Sequence, residues 1–330
     1  MEVEMRRREF MMGLAGAAFA TRDVSAAQAH IPVIGVLWHA GSPEAEQPYF
    51  DALMRGFRDL DYVEGRNVKF EHRFPNENPD RFQGMAEELV ALRVDVIVAV
   101  GSVTAPYAKA ATADIPIVFL FAANPVGSAL VESLARPGGN ITGLTQVGTD
   151  LTAKRFELLR EVIPSISRVA LLMNPAEPSA SKYLKESAAA AVQLGLAVLP
   201  FDLPSLDQIE AVFEKMKQAQ VQAVAFAPGG LLFQGRDELH KTALAYKMPS
   251  CGWSREVAAS GHLLSYGADQ IEMAHHVSVV VDKILRGTKP ADIAVEQPTR
   301  FQLIVNLRIA KALELKIPET FLARADEVIE

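Results

Sequence analysis

Residues 115–128 read IPIVFLFAANPVGS. The apolar run is rich in β-branched and aromatic residues. It stops at Ala122-Ala123 and gives way to Asn124-Pro125 and Gly127-Ser128. A short run with no polar alternation, ended by turn residues, predicts a strand buried on both faces, and such strands belong to parallel sheets covered by helices. The polar tip admits two readings, a plain turn or a ligand contact.

The same pattern recurs along the chain. Strands are predicted over 31–37, 68–74 and 94–100 as well as 115–121, with helices over 49–60, 81–92 and 105–113 between them. In the first helix Phe50, Leu53, Met54, Phe57 and Leu60 fall on one face. The order then repeats. Strands are predicted over 168–173, 197–201, 221–226 and 250–253, and helices over 181–194, 206–219 and 239–246, with Gly195 as a helix stop. Residues 33–37 match 169–173 in pattern, 99–102 match 227–230, and Ile115-Pro116 match Met248-Pro249. The fold class expected is α/β, with two doubly wound parallel-sheet lobes. The remaining pieces (261–267, 271–286, 296–298, 301–305 and 307–313) are too few for a third domain. They are expected to complete both lobes, giving 31–143 plus 265–298 and 144–264 plus 299–330. Several crossovers then act as a hinge over a cleft.

Composition narrows the function. The chain has 330 residues, 49% hydrophobic and 22% charged, with a formal net charge of −7. Charges of both signs are mixed and no basic face stands out, which argues against nucleic acid. Cys251 is the single cysteine, so no internal disulfide or Cys-rich zinc site is possible. The first residues differ from the rest. Arg6, Arg7 and Arg8 precede an apolar run over 11–20, and Ala27-Gln28-Ala29 supplies small residues at signal-peptidase spacing. Arg7-Arg8-Glu9-Phe10 resembles a twin-arginine export signal. Residues 1–29 are therefore expected to be removed, leaving a periplasmic protein that starts near His30. No cysteine follows the apolar run, so no lipid anchor is expected.

Six strand tips stand out: HAGS (39–42), GSVT (101–104), ANPVG (123–127), NPAEPS (174–179), PGG (228–230) and SYG (265–267). In open parallel sheets, ligands bind beyond the carboxyl ends of the strands. These tips offer neutral donors and acceptors, which suit a small polar or zwitterionic molecule. His39 is a candidate cleft residue. Trp38 and Trp253 both flank tips, where tryptophan is more often core than ligand platform, and Trp253 is the better candidate for stacking on a ligand. Catalytic signatures are missing: there is no HExxH, no GxxxxGK[ST] and no GxGxxG at the first turn. Gly252-Trp253-Ser254-Arg255 lacks the second glycine of a nucleophile elbow. His275 and His276 are adjacent on a predicted helix and point about 100° apart, so they cannot chelate one metal. No enzyme, cofactor or metal is expected.

Longer blocks carry a resemblance. Residues 115–144 read IPIVFLFAANPVGSALVESLARPGGNITGL, 154–175 KRFELLREVIPSISRVALLMNP, and 263–269 LLSYGAD. Residues 281–330, beginning VDKILRGTKPADIAVEQPTRFQLIV, continue it. They resemble ABC transporter substrate-binding proteins of the tryptophan/tyrosine type, over essentially all of 31–330. The resemblance implies a type I periplasmic-binding-protein fold closing on a small-molecule solute. It also implies a permease and its ATPase as partners, and a monomer is expected. Carried over by motif, the ligand-binding set is Ser42, Gly101, Ser102, Thr104, Asn124, Pro125, Asn174, Gly229, Gly230 and Tyr266, to which Trp253 is added for stacking. Asn124 stands where many relatives carry Asp, and Gly229-Gly230 replaces an Asp-containing tip. The resemblance therefore implies a less cationic solute, or one whose amine is held elsewhere. An extracytoplasmic sensor or co-receptor is the alternative; a hydrolase lacks a nucleophile with a positioned base.

Overall fold

Five strands build the first sheet: β1 (Val33–Leu37), β2 (Lys69–Arg73), β3 (Val96–Val100), β4 (Ile117–Ala122) and β5 (Ile141–Thr145). They are all parallel, in the order β2-β1-β3-β4-β5. The computed structural model describes residues 30–330, and the expected export segment, 1–29, lies outside the described residues. β3 and β4 are buried along their whole length, as runs without polar alternation require.

The second sheet is built from β6 (Arg168–Met173), β7 (Ala197–Asp202), β8 (Ala223–Phe226), β9 (Ser250–Gly252), β10 (Leu264–Ala268), β11 (Phe301–Asn306) and β12 (Glu327–Ile329). Its order is β12-β11-β10-β9-β8-β6-β7. Five of these strands, β7-β6-β8-β9-β10, repeat the order of the first sheet. β11 then runs antiparallel to β10, and β12 runs parallel to β11. The sequence matches between halves follow this repeat, pairing β1 with β6, β3 with β8 and β4 with β9.

Two boundaries expected from the sequence are corrected. Residues 265–268 pair within the second sheet, because β10 is the counterpart of β5 and lies between β9 and β11. A division at 143/144 would cut β5 in two. β5 itself escapes the periodicity, because Gly143 interrupts the run. A Cβ at Gly143 would lie 2.1 Å from the Phe119 carbonyl oxygen, and its φ of +154° also favours glycine. The helix Thr152–Val162 and strand β12 were likewise not predicted from pattern.

The chain passes between sheets three times: after β5, after β10, and before β11. The helix Gln270–Leu285 returns to the first sheet and packs against Tyr49–Asp59. Gly56 permits that approach, since a Cβ there would lie 2.0 Å from the His275 carbonyl oxygen. Residue Glu296 then extends the edge beside β5, accepting from Thr145 N–H and donating to the Gly143 carbonyl. Buried Arg155 ties two crossovers together: its Nε donates to the Tyr266 carbonyl at 2.9 Å and its Nη1 to the Gly148 carbonyl at 3.0 Å. Among the described residues, no helix is long and apolar enough to cross a membrane.

Candidate functional site

The carboxyl ends of β1, β3 and β4 face those of β8 and β9 across the cleft. At the end of β1, the Glu46 carboxylate holds the backbone in place. Its Oε1 accepts the N–H groups of His39 (3.2 Å) and Ala40 (2.8 Å). Its Oε2 lies 3.3 Å from His39 Nε2, and Glu77 Oε1 lies 2.8 Å from His39 Nδ1. These contacts are ion pairs rather than aligned hydrogen bonds. Glu77 reaches His39 because Asn76 and Glu77 both take left-handed backbone, with φ of 61° and 52°. Two such non-glycine residues in a row carry a conformational cost that neighbouring structure must offset. Their N–H groups donate to the Ala40 and His39 carbonyls.

Burial alone would lower the His39 pKa. The carboxylates of Glu46, Glu77 and Glu177 together outweigh it and hold it up to about 9. Glu177 comes from the other lobe, on the turn after β6, and is 5% exposed. Burial, followed by the charge of Glu77, pushes its carboxyl up to about 8. Burial raises Glu46 too, although His39 opposes the shift.

The end of β4 is distorted. Phe121 has φ of 68°, and the β4–β5 register shifts between Leu120 and Ala122. For an aromatic residue this is a true backbone outlier. Ser102 stabilises it, with Oγ donating to the Phe121 carbonyl (3.2 Å) and accepting from Ala123 N–H (3.0 Å). The Phe121 ring lies 5.1 Å from Tyr49, edge-on. From the other lobe Phe233 approaches Tyr49 at 5.0 Å and His39 at 6.3 Å. The Tyr49 hydroxyl lies 2.7 Å from Gln270 Oε1 and 2.9 Å from Glu256 Oε2, and its proton serves one acceptor at a time. Gln270 in turn donates to Gln146.

These groups enclose a small cavity with about 30 Å³ of free space. Its walls are His39, Tyr49, Gly101, Ser102, Phe121, Gln146, Gly229, Gly230, Phe233, Trp253 and Gln270. The free space is room for about one water, so a solute is admitted by parting of the lobes and not into this space as it stands. The lobes are closed on it: besides the Tyr49 contacts, Gln234 Nε2 donates to Asn76 Oδ1 at 2.9 Å. Four aromatic rings with neutral amides, a hydroxyl and glycine backbone can receive a flat apolar group and orient its polar ends. The helix Thr104–Ala111 begins just beyond Gly101-Ser102, and its amino end favours a negative group.

Of the residues singled out from the sequence, Gly101, Ser102, Gly229, Gly230 and Trp253 line the cavity, with His39 beside them. The other six do not. Asn124 is spent on its own turn, with Oδ1 accepting from Gly127 N–H at 3.2 Å. The carbonyl of buried Pro125 accepts from Leu130 and Val131. Ser42 caps its local turn through Ala45 N–H. Thr104 Oγ1 donates to the Gly101 and Val100 carbonyls at the helix start. Asn174 Oδ1 accepts from Ala176 N–H, and Tyr266 stacks on Phe301. The hydroxyl and amide groups of Ser42, Thr104, Asn124 and Asn174 build the tips instead of lining the cavity. Tyr49, Phe121, Gln146, Phe233 and Gln270 were not singled out. Tyr49 opens a helix, Phe121 reads as strand core, and the glutamines sit at crossovers, so no local pattern marks them.

Trp38 is fully buried and bonds His72 Nδ1 through Nε1. Cys251 is buried, and burial pushes its thiol up to about 12. His275 and His276 are partly exposed and bond Asp59 and Glu296 separately.

Two doubly wound lobes on a three-strand hinge, closed over a small aromatic-walled cavity, define a solute receptor of the type I periplasmic-binding-protein class. The chain belongs to the ABC transporter substrate binding protein family, whose model matches residues 30–329. A tyrosine-binding protein of Clostridioides difficile (strain R20291) is 25% identical over 283 residues, covering 82% of this chain and 79% of that protein. An ABC domain from Streptococcus pneumonia, solved in complex with L-Trp, is 25% identical with a TM-score of 0.85. That match covers 91% of this chain and 100% of the other. The ligand-free, open form of a substrate-binding protein with adhesive properties from Clostridium difficile is 20% identical with a TM-score of 0.65, covering 91% and 99%.

Proposed function

We propose that this chain is the extracytoplasmic receptor of an ABC importer and that its solute is an aromatic amino acid or a close analogue. Hinge closure traps the solute, and the closed form presents it to a permease driven by an ATPase. The observation that carries this reading is the interlobe box of Tyr49, Phe121, Phe233 and Trp253, contributed by both lobes and bordered by polar groups. The tyrosine and tryptophan named for the two relatives support the same solute class. In this reading residues 1–29 are an export signal, the mature chain works in the periplasm without a lipid anchor, and its role is binding rather than catalysis. His39 supports a non-catalytic role, since both its ring nitrogens face carboxylates.

The test is a thermal-shift screen of aromatic and aliphatic amino acids, aromatic acids, purines and small amides, followed by calorimetry of the hits. A solute at a hundred times its Kd adds about 2.7 kcal/mol of stability. Stabilisation by tryptophan or tyrosine and not by alanine or purines is expected. A flat response to every aromatic compound would refute the solute class.

A further inference from the structure

Gly229 and Gly230 form one wall of the cavity, and a buried acidic cluster lies directly against them. A Cβ on Gly229 would sit 2.6 Å from Glu177 Oε1. A Cβ on Gly230 would sit 2.2 Å from Glu77 Oε1 and 2.8 Å from His39 Nδ1. Three carboxylates, Glu46, Glu77 and Glu177, thus meet where the lobes close. Among the described residues His39 is the one cationic side chain ion-paired to them, and it serves Glu46 and Glu77. Glu177 has only the Gly230 N–H on its Oε1, at 3.2 Å, and its buried Oε2 has no partner. A buried carboxylate without a countercharge is costly unless a cation arrives to pair with it. Glu46 is already committed to two backbone N–H groups and His39, which leaves Glu177 and Glu77 as the groups with unused capacity. Among the described residues, no group of three or more His, Cys, Asp or Glu is placed to hold a metal ion.

We propose that the solute carries a protonated amine, received at the Gly229–Gly230 wall by Glu177 with Glu77 behind it. This rests on the interlobe cavity being the solute site. It also assigns a carboxylate from a different place to the role that Asn124 and Gly229-Gly230 leave empty. The two glycines matter because a Cβ at either would run into Glu177 or into Glu77 and His39, so only glycine lets the cavity wall lie this close to the carboxylates. With its carboxyl held up to about 8, Glu177 is mostly protonated at pH 7, and arrival of the cation displaces that proton into solvent.

The experiment uses two matched pairs: tryptamine against indole-3-propionate, and isoamylamine against isocaproate. Calorimetry at pH 7 is run in two buffers of different ionisation enthalpy. In the wild type the amine of at least one pair binds tenfold or more tighter than its acid, and its binding releases a fraction of a proton. Glu177→Gln, which keeps an acceptor for Gly230 N–H, reduces the preference to threefold or less and abolishes proton release. Glu77→Gln halves the preference or more. Equal or tighter binding of the acids, an unchanged preference in Glu177→Gln, or no binding of either amine would overturn the proposal. Preference for isoamylamine with no binding of either indole compound would refute the aromatic solute class and leave the amine site standing.

Discussion

The two lobes share a strand order and differ in what they bring to the cleft. At the β1 position the first lobe supplies His39 clamped by Glu46 and Glu77, and at the matching β6 position the second supplies Glu177. At β3 and β8 both supply glycine backbone, Gly101 and Gly229-Gly230. At β4 and β9 both supply an aromatic ring, Phe121 and Trp253. The repeat therefore fixes where cavity walls stand, while single side chains put a histidine paired with two carboxylates on one side of the cleft and a carboxyl without a cationic partner on the other. Symmetry of fold carries no symmetry of chemistry, because the tips lie outside the packed sheets and are free to differ.

The strongest way to break the comparison is to remove one ring from each side. Trp253→Ala and Tyr49→Ala are each expected to weaken binding of the aromatic solute roughly 30-fold or more, as loss of a ~2 kcal/mol anchor does. Calorimetry checks this, with urea unfolding as the control for folding. Tyr49→Phe, which keeps the ring and loses the bonds to Gln270 and Glu256, should cost only about fivefold.

Stability separates the lobes next. Glu46→Ala orphans two buried N–H groups of the first lobe and is expected to cost roughly 2–3 kcal/mol in urea unfolding. Glu177→Ala, which frees one N–H in the second lobe and removes an unpaired carboxylate, should cost less than half of that. If the two variants unfold alike, the asymmetry is wrong.

Gly230→Ala tests closure itself. Its methyl group would stand between the lobes at Glu77 and His39, so solute affinity should fall about tenfold while the melting temperature without solute changes little. Small-angle scattering should then show a more open average shape.

Titration gives a smaller effect. His39 binds more protons folded than unfolded between pH 6.5 and about 9, and Glu177 does so between 4.5 and about 8. Their contribution is full at the acid side of each window and is lost as pH rises through it. The melting temperature should fall from pH 6.5 to 9, by ~2–4 °C per kcal/mol lost. His39→Asn should flatten that fall; an unchanged slope would remove His39 from the account.

The smallest effect expected is none. Asn124→Asp should leave solute affinity within about twofold, because its side-chain oxygen is occupied by Gly127 N–H. A tenfold gain for an amine-bearing solute would reinstate position 124 as a contact.

Much of the fold is legible in the residues. Runs such as 96–100 and 117–122 declare a parallel sheet, and Gly195 stops its helix in left-handed backbone as expected. β5 is hidden by Gly143, whose role is a close approach to Phe119 that no local pattern encodes. For the candidate site, the tips Gly101-Ser102 and Gly229-Gly230 announce themselves by composition. Asn124 and Asn174 announce themselves in the same way yet turn inward on their own loops, since a side chain that can bind a ligand can equally cap a turn.

The sequence by itself determined the family, the repeat and the positions of the strand ends, because buried periodicity and turn residues are local properties. The tertiary structure alone decided which side chains meet. Glu46 and Glu77 meet His39 within the first lobe, and Glu177, a hundred residues or more further on, joins them only when the lobes close. Phe121 enters the cavity only because its backbone leaves the strand. Charge balance and cavity shape are sums over such convergences, and no window of sequence contains them.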